Sequence, residues 1–499
     1  MLRGSLSSFF ILLILITQAH STELEDDLSG FTEETSTSQT ATASFGEEVS
    51  QESVLDGFSD SEDDLGGFLE DESSSEEIGV NTEEKNEFTI SGDLSFKTSY
   101  GYKDHEVDGS DYSGLNQAQT SIYLQLDTKI SDDWKLRVSG DAFYDAIYDL
   151  RSNENYRDSV VDDYRTQLRL DDTYIQGRIS SSLDVKIGRQ IVVWGKSDNI
   201  RITDVINPLD NRQPGMTDIE DLRLSVGMAK FDYYLGQWNI SAMAIVENRI
   251  MTEATPRGEY FPVDSVFNVP GGIVDPFPKL NTPSTSWDNI QYALAANGVF
   301  SGWDLSFYAA DVLDQRWHFE QIPQPGLSLS ERTVSKIKML GSAVNIVSGS
   351  WLYKAEIAFL EGVKYNTTPD DKNRLDTLVG LEYMGIKDTS ISVEVANRHI
   401  FNHEQRMQYQ ADFVDKNEMQ TALRLTRSFS NDTINFSALA SVFGSSWENG
   451  GFTRLWGEYE LMQAVSVNVG IVEYIGGDKP FTESIKDNDR IFADITYSF

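Results

Sequence analysis

The feature that most constrains this chain is a regular alternation of short and long links between strand-like segments, from Glu87 to the carboxyl terminus. The short links are tight turns at Ser131-Asp-Asp133, Ser180-Ser-Ser182, Gly236-Gln237, Ser301-Gly302, Ser348-Gly-Ser350 and Asp388. The long links are polar and lie near residues 103–116, 150–163, 195–221, 250–286, 314–332, 364–374, 400–415 and 476–488. Short turns at one membrane surface and long loops at the other are typical of outer-membrane β-barrels. A soluble β-sandwich has no reason to keep this alternation over about 400 residues.

The strand-like segments alternate between apolar and polar residues, and the last segment shows this most clearly. Its apolar face carries Ile491, Ala493, Ile495, Tyr497 and Phe499, and its polar face carries Asp494, Thr496 and Ser498. A period of two suits a strand with lipid outside and water inside; the alternative is an edge strand of a soluble sandwich. A carboxyl-terminal Phe that closes such a strand resembles the assembly signal of bacterial outer-membrane β-barrels. That resemblance assigns the assembly signal to Tyr497 and Phe499 and implies the barrel assembly machinery as a partner.

Four tryptophans indicate where the membrane surface lies. Trp134, Trp238, Trp303 and Trp351 each follow directly on a short turn. Indole rings at one end of the strands would form an aromatic girdle at the periplasmic interface. We therefore predict an all-β fold: a transmembrane antiparallel β-barrel over residues 87–499, surrounded by outer-membrane lipid. It would have about 18 strands, or 16 as the alternative, because bacterial barrels have even strand numbers.

The first 21 residues have the three parts of an export signal. Arg3 supplies the positive charge, Phe9–Ile16 the apolar run, and Ala19-His-Ser21 the small residues that signal peptidase reads. The apolar run is about half of the ~20 residues needed to span a bilayer, which argues against a membrane anchor. We therefore predict a signal peptide over residues 1–21 and an outer-membrane protein of a Gram-negative bacterium.

Residues 22–86 are predicted to be a disordered, acidic tail in the periplasm. This stretch holds 21 acidic residues and one lysine, which is half of the formal charge of −40 for the chain. It has too few bulky residues to offset the entropy of ordering. A Leu-x-Gly-Phe pattern recurs among the acids, and we interpret its apolar residues as partner-docking positions, with repetition raising the effective affinity. These residues are Leu28, Phe31, Leu55, Phe58, Leu65 and Phe68. The alternative is a solubilising spacer whose repeats arose by duplication.

The composition argues against several classes of function. A net charge of −40 repels nucleic acid and anionic lipid surfaces. With no cysteine, the chain has no disulfide and no thiolate chemistry. None of the five histidines lies beside a serine and an acid in the pattern of a known outer-membrane hydrolase, and the pair His399 and His403 lacks a third metal ligand. We predict no enzyme activity, no cofactor and no metal site.

One stretch, from Ile187 to Arg223, breaks the strand periodicity and is rich in charges of both signs. Because charges facing lipid are costly, these should lie in the lumen or at its mouth and pair with each other. We predict a segment that folds inward over about 195–221, with the lumen or constriction residues Arg189, Lys196, Asp198, Arg201, Asp204, Asp210, Arg212, Asp221 and Arg223. The alternative is a loop held against the wall with no ligand. The strand parity of Arg189 would point it at lipid unless a bulge at Gly188 switches the face.

Four runs within and after this stretch are similar to a known family. They are GRQIVVWGKSDNIRITDVINPLD at 188–210, DIEDLRL at 218–224, MAKFDYYLGQW at 228–238 and PRGEYFP at 256–262. They resemble Gram-negative outer-membrane proteins catalogued as a domain of unknown function, the 1302 family. The resemblance covers most of residues 90–499 and is tightest over about 185–262. Acidic Leu-x-Gly-Phe tails are similar to those of some members.

The resemblance also implies a function, because members are often encoded beside RND-type exporters of the lipid-transporting kind and a periplasmic lipid-carrier-like protein. It implies passage or hand-off of a hydrophobic or amphipathic substrate, with these two proteins as partners through the acidic tail. The residues leave two alternatives open: a passive porin for small polar solutes, and a non-conducting scaffold or adhesion barrel with long outer loops. A steady open channel in planar bilayers would favour the porin.

Overall fold

The computed structural model describes residues 88–262, 266, 277–324, 327–409 and 411–499. Eighteen antiparallel strands form one sheet, which closes on itself because the first strand pairs with both the second and the last. The strands are β1 Phe88–Gly101, β2 Gly114–Ser131, β3 Trp134–Asp145, β4 Thr166–Ser180, β5 Leu183–Gln190, β6 Val226–Leu235, β7 Trp238–Ile245, β8 Gln291–Phe300, β9 Trp303–Leu313, β10 Lys336–Ser348, β11 Trp351–Tyr365, β12 Thr368–Ile386, β13 Thr389–Ile400, β14 Asn417–Phe429, β15 Ile434–Phe443, β16 Gly451–Met462, β17 Val465–Ile475 and β18 Arg490–Ser498. The predicted 18-stranded barrel is confirmed, and the 16-stranded alternative is wrong. The predicted signal peptide, the acidic tail and its docking residues lie outside the described residues.

The barrel closes where its last residue meets its first strand. Strand β18 pairs with β1 from Asp93, opposite Ser498, to Gly101. Phe499 N–H donates to the carbonyl of Gly92, and Gly92 N–H donates to the carbonyl of Phe499, each with N···O 2.9 Å. Both ends of the barrel sequence therefore lie at one rim, which we call the Phe499 rim.

The two faces of the wall differ as a membrane barrel requires. Outward positions such as Leu294, Leu340 and Ile357 are apolar and exposed, with Leu340 66% exposed. The neighbouring positions Ala293 and Met339 are buried inside the barrel. The four tryptophans begin strands β3, β7, β9 and β11, all at the Phe499 rim. This is the arrangement of an aromatic girdle at the membrane interface.

The links follow the predicted asymmetry, with two differences at the rim of the long links. Turns at the Phe499 rim have two to four residues and include every predicted short turn. The long link predicted near 364–374 is wrong, because β11 continues to Tyr365 and β12 begins at Thr368. Its polar composition reflects the outer end of a long hairpin, where Lys364 and Asp371 pair across the strands at 2.9 Å. A link over 444–450, between β15 and β16, was not predicted.

The links at the opposite rim contain short ordered elements. The helices are α1 Ile147–Leu150, α2 Asp158–Tyr164 and α3 Pro480–Ser484. Three small ladders also form: Glu106–Val107 with Ser110–Asp111, His318–Gln324 with Leu327–Thr333, and Leu280–Asn281 alongside Arg332–Thr333. A fourth joins Asp210–Asn211 in parallel to Thr252–Glu253. No helix among the described residues is long and apolar enough to cross a membrane.

Candidate functional site

The chain between β5 and β6, residues 191–225, leaves the wall and folds into the barrel; we call it the luminal segment. Its apolar side chains pack against the inner wall formed by β6 to β14, and Trp194 stacks on Tyr308 with ring centroids 4.7 Å apart. The packed residues are Val192, Trp194, Ile200, Ile202 and Ile206 of the segment, with Met243, Ala293, Met339, Ala358 and Ala396 of the wall. Small alanine side chains allow this close approach. The segment therefore fills one side of the lumen.

Two buried wall glutamates hold the segment by its backbone. Glu356 on β11 is 4% exposed and Glu394 on β13 is 1% exposed. Glu356 accepts the N–H groups of Lys196, Ser197 and Thr203 and the Thr203 hydroxyl, at 2.6 to 3.2 Å. Glu394 accepts the N–H groups of Asp198 and Asn199 and the Ser197 hydroxyl, at 2.7 to 3.1 Å. Charge-assisted hydrogen bonds of this kind compensate the cost of burying the carboxylates.

Gly195 allows the luminal segment to lie close to the Glu356 carboxylate. Gly195 has φ +94°, and a Cβ added there would lie 2.8 Å from Glu356 Oε1. Its N–H donates to the Tyr308 hydroxyl at 3.2 Å. A side chain at this position would both strain the backbone and displace the glutamate.

Two of the predicted charged residues pair with the wall beside these anchors. Lys196 Nζ lies 2.8 Å from Asp304 on β9. Asp198 pairs with Lys354 on β11, whose Nζ also lies 3.4 Å from Glu382. These pairs fix the part of the segment that lies towards the Phe499 rim, because Asp304 and Lys354 are close to the first residues of β9 and β11.

Three other predicted residues stabilise the segment internally. Asp204 forms an ion pair with Arg201, with Nε 3.2 Å from Oδ2, and accepts a hydrogen bond from Arg223 Nε at 3.0 Å. Asn207, fully buried, accepts Val192 N–H at 2.8 Å and donates to the Leu224 carbonyl at 2.7 Å. These contacts join the two ends of the segment, so it is a folded unit rather than an extended loop.

Asp210 and Arg212 attach the segment to another part of the wall. Asp210 pairs with Arg212 at 2.6 Å and with Arg169 on β4 at 3.3 Å. Arg212 Nη2 also donates to Gln167 Oε1 at 2.6 Å. The segment therefore crosses from the β11 and β13 side of the barrel towards β4.

Arg189 lies apart from this group. It pairs with Glu247, with Nε···Oε2 2.9 Å, and donates to the carbonyl of Leu170, whose side chain is exposed on the outer face. The bulge at Gly188 that would have turned Arg189 away from lipid is absent, because β5 keeps continuous register there with both β4 and β6. Arg189 therefore shares the parity of Ile187, at the end of the short strand β5.

The far part of the segment meets the wall at Asp218. Its carboxylate accepts Arg424 Nη2 on β14 at 2.8 Å and also pairs with Arg454 on β16. Asp221 lies in the same region, beside Asp218. Burial raises the pKa of the Asp221 carboxyl, and the charge of Asp218 adds to that increase.

Two cavities lie on either side of residues 211–221. The outer chamber, of about 500 Å³, is on the side of the long links and is lined by Phe261, Trp317, Phe413, Phe481, Lys364 and Lys479 among others. The polar passage, of about 510 Å³, is lined by Lys97, Asp218, Asp221, Arg424, Arg454 and Glu458 among others. Pro214 lines the chamber and Met216 lines the passage, so this short stretch divides the two cavities.

The wall partners were not predicted from sequence. Glu356, Glu394, Arg424 and Arg454 are charged residues at inward positions in the middle of strands. Reading the polar face of each strand for charge would have found them, because a charge at membrane depth needs a partner in the lumen. In the part of the chain that the structure describes, no group of His, Cys, Asp or Glu could hold a metal ion.

A closed antiparallel sheet with an apolar outer face, an aromatic girdle and a segment folded into its lumen defines an outer-membrane β-barrel. The particular family follows from the sequence. A family model described as "Protein of unknown function (DUF1302)" matches residues 3–499, and the chain belongs to that family. The resemblance carried by the four runs is thereby confirmed. No curated protein matches the sequence.

Several solved barrels are similar in structure. The Pseudomonas aeruginosa outer membrane protein OpdK gives a TM-score of 0.47 at 9% identity, with 82% of this chain and 99% of that chain covered. OccK11 (OpdR) of the same organism gives 0.44 at 8% identity, covering 82% and 96%. A loop-deletion mutant of OmpT, an outer membrane protein of Vibrio cholerae, gives 0.39 at 9% identity, covering 83% and 99%. The function of this chain is therefore inferred from its own residues.

Proposed function

We propose that the barrel passes or hands off an amphipathic, lipid-like substrate across the outer membrane. The observation that supports this most directly is the pair of cavities of unlike chemistry on either side of residues 211–221. An aromatic chamber suits a chain or ring system, whereas a charged passage suits a hydrated headgroup. A substrate with both parts would find a complementary surface in each cavity.

Aromatic rings of the chamber wall pack against one another. The ring of Phe277 contacts those of Phe261 at 5.9 Å and Trp317 at 6.3 Å, both edge to face. The indole N–H of Trp317 donates to Glu253, and burial raises the pKa of that carboxyl. At another point of the lining, Lys479 pairs with Asp415 at 2.7 Å and Glu418 at 3.2 Å. The chamber lining thus combines aromatic side chains with charged side chains that are already paired.

The proposed partners are an RND-type inner-membrane exporter and a periplasmic lipid carrier. Two sequence observations support them: the resemblance to a family often encoded beside such proteins, and the repeated Leu-x-Gly-Phe pattern of residues 22–86. Repeated apolar residues in an acidic stretch suit a multivalent contact with a partner. In this proposal Phe31, Phe58 and Phe68 carry the contact.

The chamber is tested by the lipid that the purified barrel retains. We expect the double variant W317A/F413A to lose a lipid-like molecule that mass spectrometry finds on the wild-type barrel, because both aromatic side chains line the chamber. The matched control is W287A, since Trp287 is 86% exposed. Equal retention by all three proteins would place the lipid on the outer surface and contradict the proposed chamber.

The docking role is tested by replacing three phenylalanines. We expect F31S/F58S/F68S to leave the amount of barrel in the outer membrane unchanged, because β1 begins after the tail. The lipid recovered with the barrel from cells should fall to background. Phe45 lies in the same acidic stretch outside the repeats, so F45S is the control. Unchanged lipid recovery in the triple variant would exclude docking through these repeats.

A passive porin for small polar solutes is the second candidate, and the charged lining of the polar passage favours it. Single-channel recording in planar bilayers separates the two functions. We expect the wild-type barrel to conduct weakly, because the luminal segment fills one side of the lumen. A steady, large conductance together with an empty chamber would support the porin instead.

A further inference from the structure

We propose that Arg424 and Arg454 form an anion-binding site in the polar passage, and that Asp218 of the luminal segment occupies this site until a substrate anion displaces it. The proposal rests on the passage of an amphipathic substrate and adds that its polar end is a carboxylate or phosphate. The Asp218 carboxylate is then a built-in competitor for that end.

The two arginines are held close together by the sheet. Arg424 on β14 and Arg454 on β16 both pair with Leu439 on the strand between them, so they stand at the same height on the inner wall. Both lie near the ring of Trp456, with the guanidinium carbon 5.6 Å from the ring centroid for Arg424 and 3.8 Å for Arg454. Two like charges this close repel each other, and an anion between them offsets that repulsion.

Asp218 supplies that anion from the tip of the segment. Its carboxylate contacts both guanidinium groups and comes from the stretch that divides the chamber from the passage. Asp218 is the carboxylate in contact with both guanidinium groups, so an anion that binds them more strongly would take its place.

Arg454 also has unused donors. Its side chain is 6% exposed, and its Nε and Nη1 have no hydrogen-bond partner among the described residues. A buried guanidinium without its full set of acceptors is costly, and a planar anion that displaces Asp218 from Nη2 can accept Nη2 together with the neighbouring Nε or Nη1. A carboxylate or phosphate fits this geometry better than a neutral molecule does.

Other charged side chains line the polar passage around the two arginines. Lys97 adds a positive charge to the passage, whereas Asp221, Glu458 and Asp494 add negative ones. Displacement of Asp218 would remove one of the contacts that hold Pro214–Asp218 between chamber and passage; the Tyr474 hydroxyl on the Pro214 carbonyl at 2.6 Å and the packing of Met216 would remain. Anion binding would therefore loosen the partition at Asp218.

The test measures binding of hexanoate, acetate and hexanol to the purified full-length barrel by calorimetry. We expect D218N to bind hexanoate about tenfold more tightly than the wild-type protein, because the competing carboxylate is gone. The control E458Q removes a charge from the same cavity without touching the arginines and should stay near the wild-type affinity. Adding R454Q to D218N should abolish the gain, and heat-modifiable migration on gels verifies that each variant is folded.

The three probes distinguish binding of the anionic group from binding of the apolar chain. A gain for hexanoate that exceeds the gain for acetate supports the site and an amphipathic substrate. Equal gains for both support the anion site but contradict the proposed lipid-like substrate. An equal gain for hexanol, or no gain in a folded D218N barrel, would overturn the proposal.

Discussion

Replacing both Glu356 and Glu394 by glutamine is expected to release the luminal segment and raise the single-channel conductance several-fold. The two carboxylates accept seven hydrogen bonds from residues 196–203. Glutamine keeps one acceptor oxygen and turns an N–H donor towards groups that are themselves donors. Each lost charge-assisted bond costs about 1.5–3 kcal/mol. Because this segment fills one side of the lumen, its release should open a wider aqueous path.

The control for this experiment lies on the same wall. Glu382 on β12 contacts Ser390 and Lys354 but no residue of the segment, so E382Q should keep the conductance of the wild-type barrel. Thermal unfolding of the double variant should stay cooperative, since no hydrogen bond between strands is removed. If folded E356Q/E394Q barrels conducted like the wild type, the glutamates would not be what keeps the segment in place.

Deleting Phe499 is expected to lower the amount of folded barrel in the outer membrane by about an order of magnitude. Phe499 makes two backbone hydrogen bonds to Gly92 across the closing seam, and its ring stacks on Tyr497 with centroids 6.0 Å apart. Removing it opens the seam at its end and removes the predicted assembly signal. An unpaired strand edge in lipid leaves backbone groups without partners.

The measurement is the heat-modifiable fraction of barrel in isolated outer membranes. Phe429 ends β14 at the same rim and is exposed, which makes F429A the matched control. We expect F429A to assemble almost fully, because the change removes a ring without touching the seam. Equal losses in both variants would show that the rim needs aromatic residues in general and that Phe499 has no special role.

The strand number and the turns could be predicted because both depend on local pattern. A period of two and a tight turn are properties of neighbouring residues. The hairpin of β11 and β12 was misread for the same reason, since its polar outer end resembles a loop in composition. At Arg189 the strand alternation read from the sequence holds, because β5 keeps continuous register with β4 and has no bulge at Gly188.

The partners of the luminal segment could not be predicted in this way. Lys196 meets Glu356 across 160 positions of sequence, and Asp198 meets Glu394 across 196. Which wall residue faces a given part of the segment depends on how the barrel is closed. Charge composition indicated an inward fold, but only the closed sheet brings these residues together.

One small ladder links the exterior to the interior of the barrel. Thr252–Glu253 belongs to the long link after β7 and pairs in parallel with Asp210–Asn211 of the luminal segment. Asn211 is also the first residue of the stretch that divides the chamber from the passage, so any movement of the long link is carried directly to that stretch.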